Sequence, residues 1–189
     1  MKTVPLYAGA EKKSYYKYLQ EITHVSEEEV KRVKSIKTDP ALALPFSQRA
    51  KVQTPDYVPI PDGVYQMSDG SFFISCVTPA PDLTGEMMEW WMVWHMLDPL
   101  RYALWNPEDH YDTHIPDEAR KRILNENIPI RERCWGVNCT VTESWNCEKP
   151  STGTLRFVEP ASVGFDNTLF AWTAVSLCSL PTTISRSVR

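Results

Sequence analysis

The segment Gly85–His114 constrains the fold more than any other part of the chain. It holds four of the seven tryptophans and three of the four histidines of a 189-residue protein. Trp90, Trp94 and Leu97 recur at helical spacing, which predicts a helix that begins near Gly85. Because apolar residues lie on more than one of its faces, we expect this helix to be buried on most sides. Its aromatic surface suits either an ordinary core or the wall of a pocket.

Local signals predict how the rest of the first half folds. Ser26 and Glu29 form a capping box that predicts a helix, and this helix should end before Asp39-Pro40. Residues 40–63 contain five prolines and are predicted to wrap around the domain in extended form. Asp98-Pro99 should end the aromatic helix and begin a second one.

The remaining pattern predicts an α+β fold, in which an antiparallel sheet curves around the aromatic helix. We divide the chain into a helical, proline-rich wrapping segment (1–60), a main domain (61–178) and a loose tail (179–189). Tyr15 belongs to a tyrosine cluster that forms either a short helix or an arm packed on the domain. The predicted elements are a hairpin of 64–67 and 71–77, a helix over 117–124, and strands over 134–145, 154–160 and 169–178.

Composition excludes several classes of partner. A net charge of -4 offers no basic footprint for nucleic acid. No apolar run approaches the roughly 20 residues of a membrane helix. The five cysteines form no Cys-x-x-Cys pair, and the N-terminus lacks the apolar core of a secretory signal. We therefore expect a cytoplasmic protein with free thiols, and a homodimer is compatible with this composition.

Two histidines are candidates for a metal site. On a helix, the four-residue spacing of His110 and His114 would place both imidazoles on one face. Asp109 and Asp112 would be ligands or partners of ligands, and Glu143 on the following strand would complete the set. Two histidines and one carboxylate leave a position open on zinc. The alternative is a pair of exposed histidines beside acidic neighbours.

The aromatic segment holds further candidates, each with a structural alternative. His95 is either a general acid or base or a core histidine bonded to the backbone or a carboxylate. Arg101 and Tyr102 either bind an anionic or phenolic group or form structural contacts. The tryptophans either stack on an aromatic ligand or fill the core; they are Trp90, Trp91, Trp94 and Trp105.

The order of these residues resembles the 2,4-diacetylphloroglucinol hydrolase family, which includes phloretin hydrolase. The resemblance lies in Trp90-Trp91 and Trp94-His95, followed by Arg101-Tyr102, Trp105 and His110. Later motifs support it; they are Trp135-Gly136, Val141-Thr142-Glu143, Arg156-Phe157 with Pro160, and Val175 to Cys178. The likeness runs from about residue 60 to residue 178.

This resemblance implies a helix-grip fold, in which a curved antiparallel sheet wraps a long helix. It also implies zinc-dependent hydrolysis of the carbon–carbon bond between an acyl group and a phenolic ring. The first two zinc ligands carry over as His110 and Glu143, with His95 as the alternative to His110 and His114 as a substitute for a lost ligand. His95 or Tyr102 would move the proton. Substrate would be held by Trp91, Trp94, Arg101 and Trp105.

The chain departs from the family in one respect that leaves other functions open. No histidine follows His114, so the family's later His-x-x-x-Glu zinc ligands have no counterpart. We therefore expect a shortened relative without the C-terminal helix. Two alternatives to the hydrolase remain: a metal-free pocket that binds or cyclises an aromatic polyketide, and an inactive truncated relative.

Overall fold

Helices and strands mix along the chain in the computed structural model, which describes residues 3–144 and 149–169. The mixture confirms the predicted α+β class. The α-helices of these residues are α1 (Glu27–Lys34), α2 (Gly85–Trp94), α3 (Pro99–Ala103) and α4 (Asp117–Ile123). The strands are β1 (Gly63–Gln66), β2 (Phe72–Ser75), β3 (His110–His114), β4 (Asn138–Glu143) and β5 (Ser151–Arg156).

Local capping signals place α1 as predicted. The Ser26 hydroxyl accepts a hydrogen bond from the Glu29 amide at 3.1 Å, which satisfies one free donor of the first turn. The helix ends at Lys34, before Asp39. The proline-rich segment that follows is less extended than we predicted, because it forms short 3-10 helices at Pro40–Leu42 and Phe46–Gln53. Proline suits the first position of such a turn, where its missing N–H costs nothing.

The predicted hairpin is also confirmed. β1 and β2 pair antiparallel, with Val64 opposite Ile74. The turn between them contains Gly70 at φ 84°, in the left-handed region that glycine enters without a steric penalty. The Asp69 carboxylate accepts a hydrogen bond from the Ser71 amide at 2.9 Å and closes the turn.

The aromatic segment forms the predicted helices. Thr84 caps α2 through its hydroxyl, and a 3-10 turn at His95–Leu97 continues the chain to Asp98. Asp98 then caps α3, where its carboxylate accepts from the Leu100 amide at 2.9 Å and Pro99 takes the first position. The helix is therefore interrupted between α2 and α3. This interruption lets the tryptophans of α2 and the side chains of α3 line the same region of the fold.

The helical interpretation of the His110–His114 spacing is wrong, because this segment is strand β3. It pairs antiparallel with β4, and His110 lies opposite Glu143. The register shifts between His110 and Asp112, which is a β-bulge at the end of the strand. Pairing with a distant strand outweighs a local spacing that fits a helix equally well.

The later strands are shorter than predicted. β4 begins only at Asn138, because the residues before it form a turn with Gly136 at φ 82°. β5 pairs antiparallel with β4 and completes a sheet of order β3-β4-β5. The predicted strand over 169–178 and the predicted loose tail over 179–189 lie outside the described residues, apart from Leu169 in a short 3-10 turn.

The main core joins the aromatic helices to the three-stranded sheet. Met96 and Tyr102 are buried in one cluster with Cys139 and Val141 of β4. This packing removes apolar surface of both layers from water, which is the main stabilising contribution in such a domain. It also places the side chain of Tyr102 beside the end of β4, where Glu143 lies.

Candidate active site

His110 and Glu143 meet where β3 and β4 pair. Nε2 of His110 lies 3.9 Å from Oε1 of Glu143, and each side chain is 18% exposed. A distance of 3.9 Å is too long for a hydrogen bond. The pair therefore leaves a gap between a ring nitrogen and a carboxylate oxygen at the edge of the core.

The hydrogen bond on the far side of the ring sets the tautomer of His110. Its Nδ1 lies 3.2 Å from the backbone carbonyl oxygen of Tyr102, which can only accept, so Nδ1 carries the proton. Burial lowers the pKa of His110 to about 4, against an opposing effect of Asp109. The ring is thus neutral at pH 7, and the lone pair on Nε2 faces Glu143.

Tyr102 connects the two members of this pair. Its hydroxyl donates a hydrogen bond to Oε1 of Glu143. Its ring stacks on that of His110, with centroids 4.1 Å apart and planes 6° from parallel. Burial also raises the pKa of Glu143. One buried tyrosine thus fixes the imidazole by stacking and the carboxylate by a hydrogen bond.

The residues next to this pair are hydrogen-bonded to each other: Asp109 precedes His110, and Ser144 follows Glu143. The Ser144 hydroxyl donates to Oδ1 of Asp109 at 2.6 Å, and the Ser144 amide donates to the Asp109 carbonyl oxygen at 2.9 Å. Asn106 donates to Oδ2 of Asp109 at 3.1 Å. Asp109 therefore ties the residue before His110 to the residue after Glu143. Nothing in the sequence pattern pointed to Ser144.

The donor chemistry of His110 and Glu143 fits two ligands of a zinc ion. Zinc bonds to histidine nitrogen and carboxylate oxygen measure about 2.0–2.2 Å, so two ligands of a tetrahedral zinc lie about 3.4 Å apart. The observed 3.9 Å is about 0.5 Å longer than this separation. The Nδ1–H bond to a backbone carbonyl is the usual support of a zinc-bound imidazole. Within residues 3–144 and 149–169, however, no group of three or more His, Cys, Asp or Glu side chains could hold a metal.

His114 does not join this pair. It lies on the exposed edge of β3, opposite Thr140. Strand positions four residues apart are separated by about 13 Å, which is too far for two ligands of one ion.

His95 is a buried histidine bonded to the backbone, as its structural alternative predicted. Its Nδ1 lies 2.8 Å from the carbonyl oxygen of Trp91, and its ring stacks on the Trp91 ring at 5.8 Å. Burial lowers the pKa of His95. Since Nδ1 must donate to the carbonyl, the neutral ring keeps its lone pair on Nε2. The ring centroid lies 6.0 Å from that of Tyr102, close enough to belong to the same site.

The predicted substrate-binding tryptophans form one cluster beside these residues. The ring centroid of Trp91 lies 5.5 Å from those of both Trp94 and Trp105, and the Trp105 centroid lies 6.4 Å from that of His110. Trp105 remains 51% exposed. An exposed aromatic surface next to a buried polar group is suited to stacking on a ring and orienting its substituents.

Arg101 packs on aromatic rings. Its guanidinium carbon lies 4.6 Å from the Trp94 ring and 5.0 Å from the Tyr15 ring, and Nη1 donates to the Trp94 carbonyl oxygen at 3.3 Å. Its buried Nε has no hydrogen-bond partner among the described residues. The sequence identifies Tyr15 only as a member of a tyrosine cluster, since no local pattern indicates which distant ring it contacts.

A separate cleft of about 370 Å³ lies between residues 5–7 and the start of α3 and β3. Of the predicted site residues, Asp112 lines this cleft and not the gap between His110 and Glu143; the lining residues are Pro5, Leu6, Tyr7, Pro99, Tyr111 and Asp112. In the part of the chain that the structure describes, no helix has the length and apolar character needed to cross a bilayer.

Comparison with known proteins identifies a matching family and two similar relatives. The family model of the DAPG hydrolase PhiG domain matches residues 44–186. The chain is 32% identical over 163 residues to the phloretin hydrolase of Eubacterium ramulus, covering 84% of the chain and 58% of that relative. It is 23% identical over 165 residues to the 2,4-diacetylphloroglucinol hydrolase of Pseudomonas protegens, covering 86% and 53%. The chain thus spans somewhat more than half the length of these relatives.

Proposed function

Because the chain belongs to the DAPG hydrolase PhiG domain family, as its aromatic motif predicted, we propose that it hydrolyses acylphenols. The bond cleaved is the carbon–carbon bond between an acyl group and a phloroglucinol-type ring. The observation that carries the proposal is the meeting of His110, Glu143 and Tyr102 beside an aromatic cluster. The names of the relatives, phloretin hydrolase and 2,4-diacetylphloroglucinol hydrolase, give the substrate class.

We propose that His110 and Glu143 are two ligands of a zinc ion. The neutral imidazole with its lone pair on Nε2 and the facing carboxylate oxygen support this assignment. Zinc, when bound, supplies a Lewis acid that polarises a carbonyl oxygen. The remaining zinc ligands must come from groups other than the described residues around His110 and Glu143.

The chain's own residues then account for the remaining requirements of the reaction. Water adds its hydroxyl to the acyl carbon, and a proton replaces the acyl group on the ring carbon. The products are a carboxylic acid and the free phenol. We infer that Tyr102, which holds a proton on its hydroxyl at Glu143, delivers this proton to the ring carbon. We infer that His95, neutral with Nε2 unprotonated, accepts a proton from water, and that this proton returns to Tyr102 at the end of the cycle. Trp91 and Trp105 stack on the ring and limit access of bulk water.

We also propose that the domain is a helix-grip fold. The packing of Met96 and Tyr102 against Cys139 and Val141 supports this, since it lays the aromatic helices across the face of an antiparallel sheet.

The test is turnover of phloretin and of 2,4-diacetylphloroglucinol, followed by release of the carboxylic acid. We expect wild-type protein prepared with zinc to turn over at least one of them. His110→Ala should abolish turnover, whereas His114→Ala, on the exposed edge of the same strand, should retain it. Retained turnover in His110→Ala would reject the ligand assignment, and absence of turnover in the wild-type chain would reject the proposed reaction.

A second candidate function is a metal-free pocket that binds an aromatic polyketide. It is favoured by the finding that the described residues bring only two metal-ligating side chains together at the site. Treatment with 1,10-phenanthroline separates the two functions. If the chelator abolishes turnover and added zinc restores it, the hydrolase is supported. If the protein shows no turnover and the chelator leaves phloretin binding unchanged, the metal-free pocket is supported.

A further inference from the structure

The N-terminal arm, residues 3–24, is fastened to the aromatic helices. The Val4 amide donates to the carbonyl oxygen of Pro107 at 2.6 Å. The Tyr7 hydroxyl lies 3.0 Å from both carboxylate oxygens of Asp98. Burial and the Asp98 carboxylate raise the pKa of Tyr7, so its hydroxyl remains a donor. The arm precedes residues 44–186, which the family model matches. The contacts of the arm therefore come from residues outside the matched range.

Tyr15 is the arm residue that reaches the tryptophan cluster. Its ring meets the Trp94 ring edge-on, with centroids 5.3 Å apart and planes at 75°. The Arg101 guanidinium lies over both rings. Edge-to-face pairs and cation–π contacts hold rings in a defined orientation. Tyr15 thus fixes two of the residues predicted to bind substrate.

Ring contacts continue from the arm to the candidate zinc ligand. Trp94 lies 5.5 Å from Trp91, Trp91 lies 5.5 Å from Trp105, and Trp105 lies 6.4 Å from His110. Close-packed rings have few alternative arrangements, so the loss of a ring at one end changes the packing of the rings next to it. Removal of the Tyr15 ring would leave Trp94 without its edge contact.

Arg101 depends on the two rings for its orientation. Its buried Nε has no hydrogen-bond acceptor among the described residues, so ring contacts with Tyr15 and Trp94, and the hydrogen bond to the Trp94 carbonyl oxygen, hold the guanidinium.

We propose that Tyr15 is a positioning residue for the aromatic substrate. It holds Trp94 and Arg101 in the orientation that receives a phenolic ring, and the arm thereby becomes part of the binding site. This inference rests on the proposed function for its ligand. It assigns Tyr15 no part in bond cleavage, so its loss should affect substrate affinity and not the rate of the chemical step.

The experiment compares Tyr15→Ala, Tyr15→Phe and the matched control Tyr18→Ala. Tyr18 lies in the same arm, is 61% exposed and contacts only the flanking Lys17 among the ring contacts of the described residues. Phloretin binding is measured by quenching of tryptophan fluorescence, and turnover is measured in parallel. Near-UV circular dichroism reports the order of the tryptophan cluster without any ligand.

In Tyr15→Ala, we expect the Kd and KM for phloretin to rise about fivefold to tenfold, the size typical for loss of an aromatic or cation–π contact. The kcat should stay within about twofold, because Tyr15 does not touch the reacting groups. The near-UV signal should decrease. Tyr15→Phe loses the hydrogen bond to Tyr7 but keeps the ring contacts with Trp94 and Arg101, so its Kd should stay within about twofold of the wild type, and Tyr18→Ala should match the wild type.

Three results would overturn this inference. They are an unchanged Kd in Tyr15→Ala, an equal loss in Tyr18→Ala, or a fall in kcat alone. A wild-type chain that binds phloretin but turns over neither phloretin nor 2,4-diacetylphloroglucinol rejects the hydrolase, while the ratio of Kd values still decides the role of Tyr15. A wild-type chain that binds neither compound overturns both proposals.

Discussion

Replacing Tyr102 by phenylalanine removes one hydroxyl from the centre of the site and leaves the buried ring in place. The hydroxyl donates to Oε1 of Glu143, whose side chain is largely buried. A hydrogen bond to a charged group contributes a net of about 1.5–3 kcal/mol to stability. We therefore expect the free energy of unfolding to fall by about 2 kcal/mol in Tyr102→Phe.

The assay is urea unfolding followed by tryptophan fluorescence. With a slope of about 2 kcal/mol per molar urea, this loss lowers the midpoint by about 1 M. A double-mutant cycle with Glu143→Gln isolates the pairwise contribution, and we expect a coupling energy of about 1 kcal/mol or more. Tyr18→Phe, which changes an exposed hydroxyl, is the control and should shift stability by less than about 0.5 kcal/mol.

Additive effects of Tyr102→Phe and Glu143→Gln would refute this reasoning. Such a result would mean that the hydroxyl and the carboxylate do not interact in solution. The role of Tyr102 as the residue that joins both candidate ligands would then be lost, although its stacking on His110 would remain.

Three further predictions test the fold around the site. Leu100→Ala should cost about 2–5 kcal/mol of stability in urea unfolding, whereas Leu124→Ala, at a position 57% exposed, should cost far less; equal losses would contradict the assigned core. Thr84→Ala removes the cap of the aromatic helix and should cost about 1 kcal/mol; no change would show that the cap is not formed. Burial raises the pKa of Cys134 to about 11, so its alkylation rate, mapped by mass spectrometry, should still increase above pH 9, while exposed Cys76 reacts readily at pH 8; equal rates at pH 8 would reject the burial.

The parts of the fold that sequence predicts well are those fixed by adjacent residues. Ser26, Asp98-Pro99 and Asp69-Gly70 each satisfy backbone groups within a few positions, so helix starts and the hairpin turn could be read directly. The aromatic helix was equally clear, since a dense apolar pattern needs a partner layer whatever the topology.

Strand β3 could not be predicted in this way. His110 and His114 fit a helix by spacing, and only pairing with β4, some thirty residues later, makes the segment a strand. A slip of one residue in that pairing would turn Glu143 to the other face of the sheet. The resemblance to a family named His110 and Glu143 together, while local patterns gave no means of placing Tyr102 between them.

We propose that His110 and Glu143 bind one zinc ion. Isothermal titration of zinc into chelator-treated protein tests it directly, with wild type compared with His110→Ala, Glu143→Gln and His114→Ala. We predict one zinc per chain in the wild type and in His114→Ala, and a loss of affinity of at least about tenfold in each of the other two variants. Equal zinc affinity in wild type, His110→Ala and Glu143→Gln would contradict the claim.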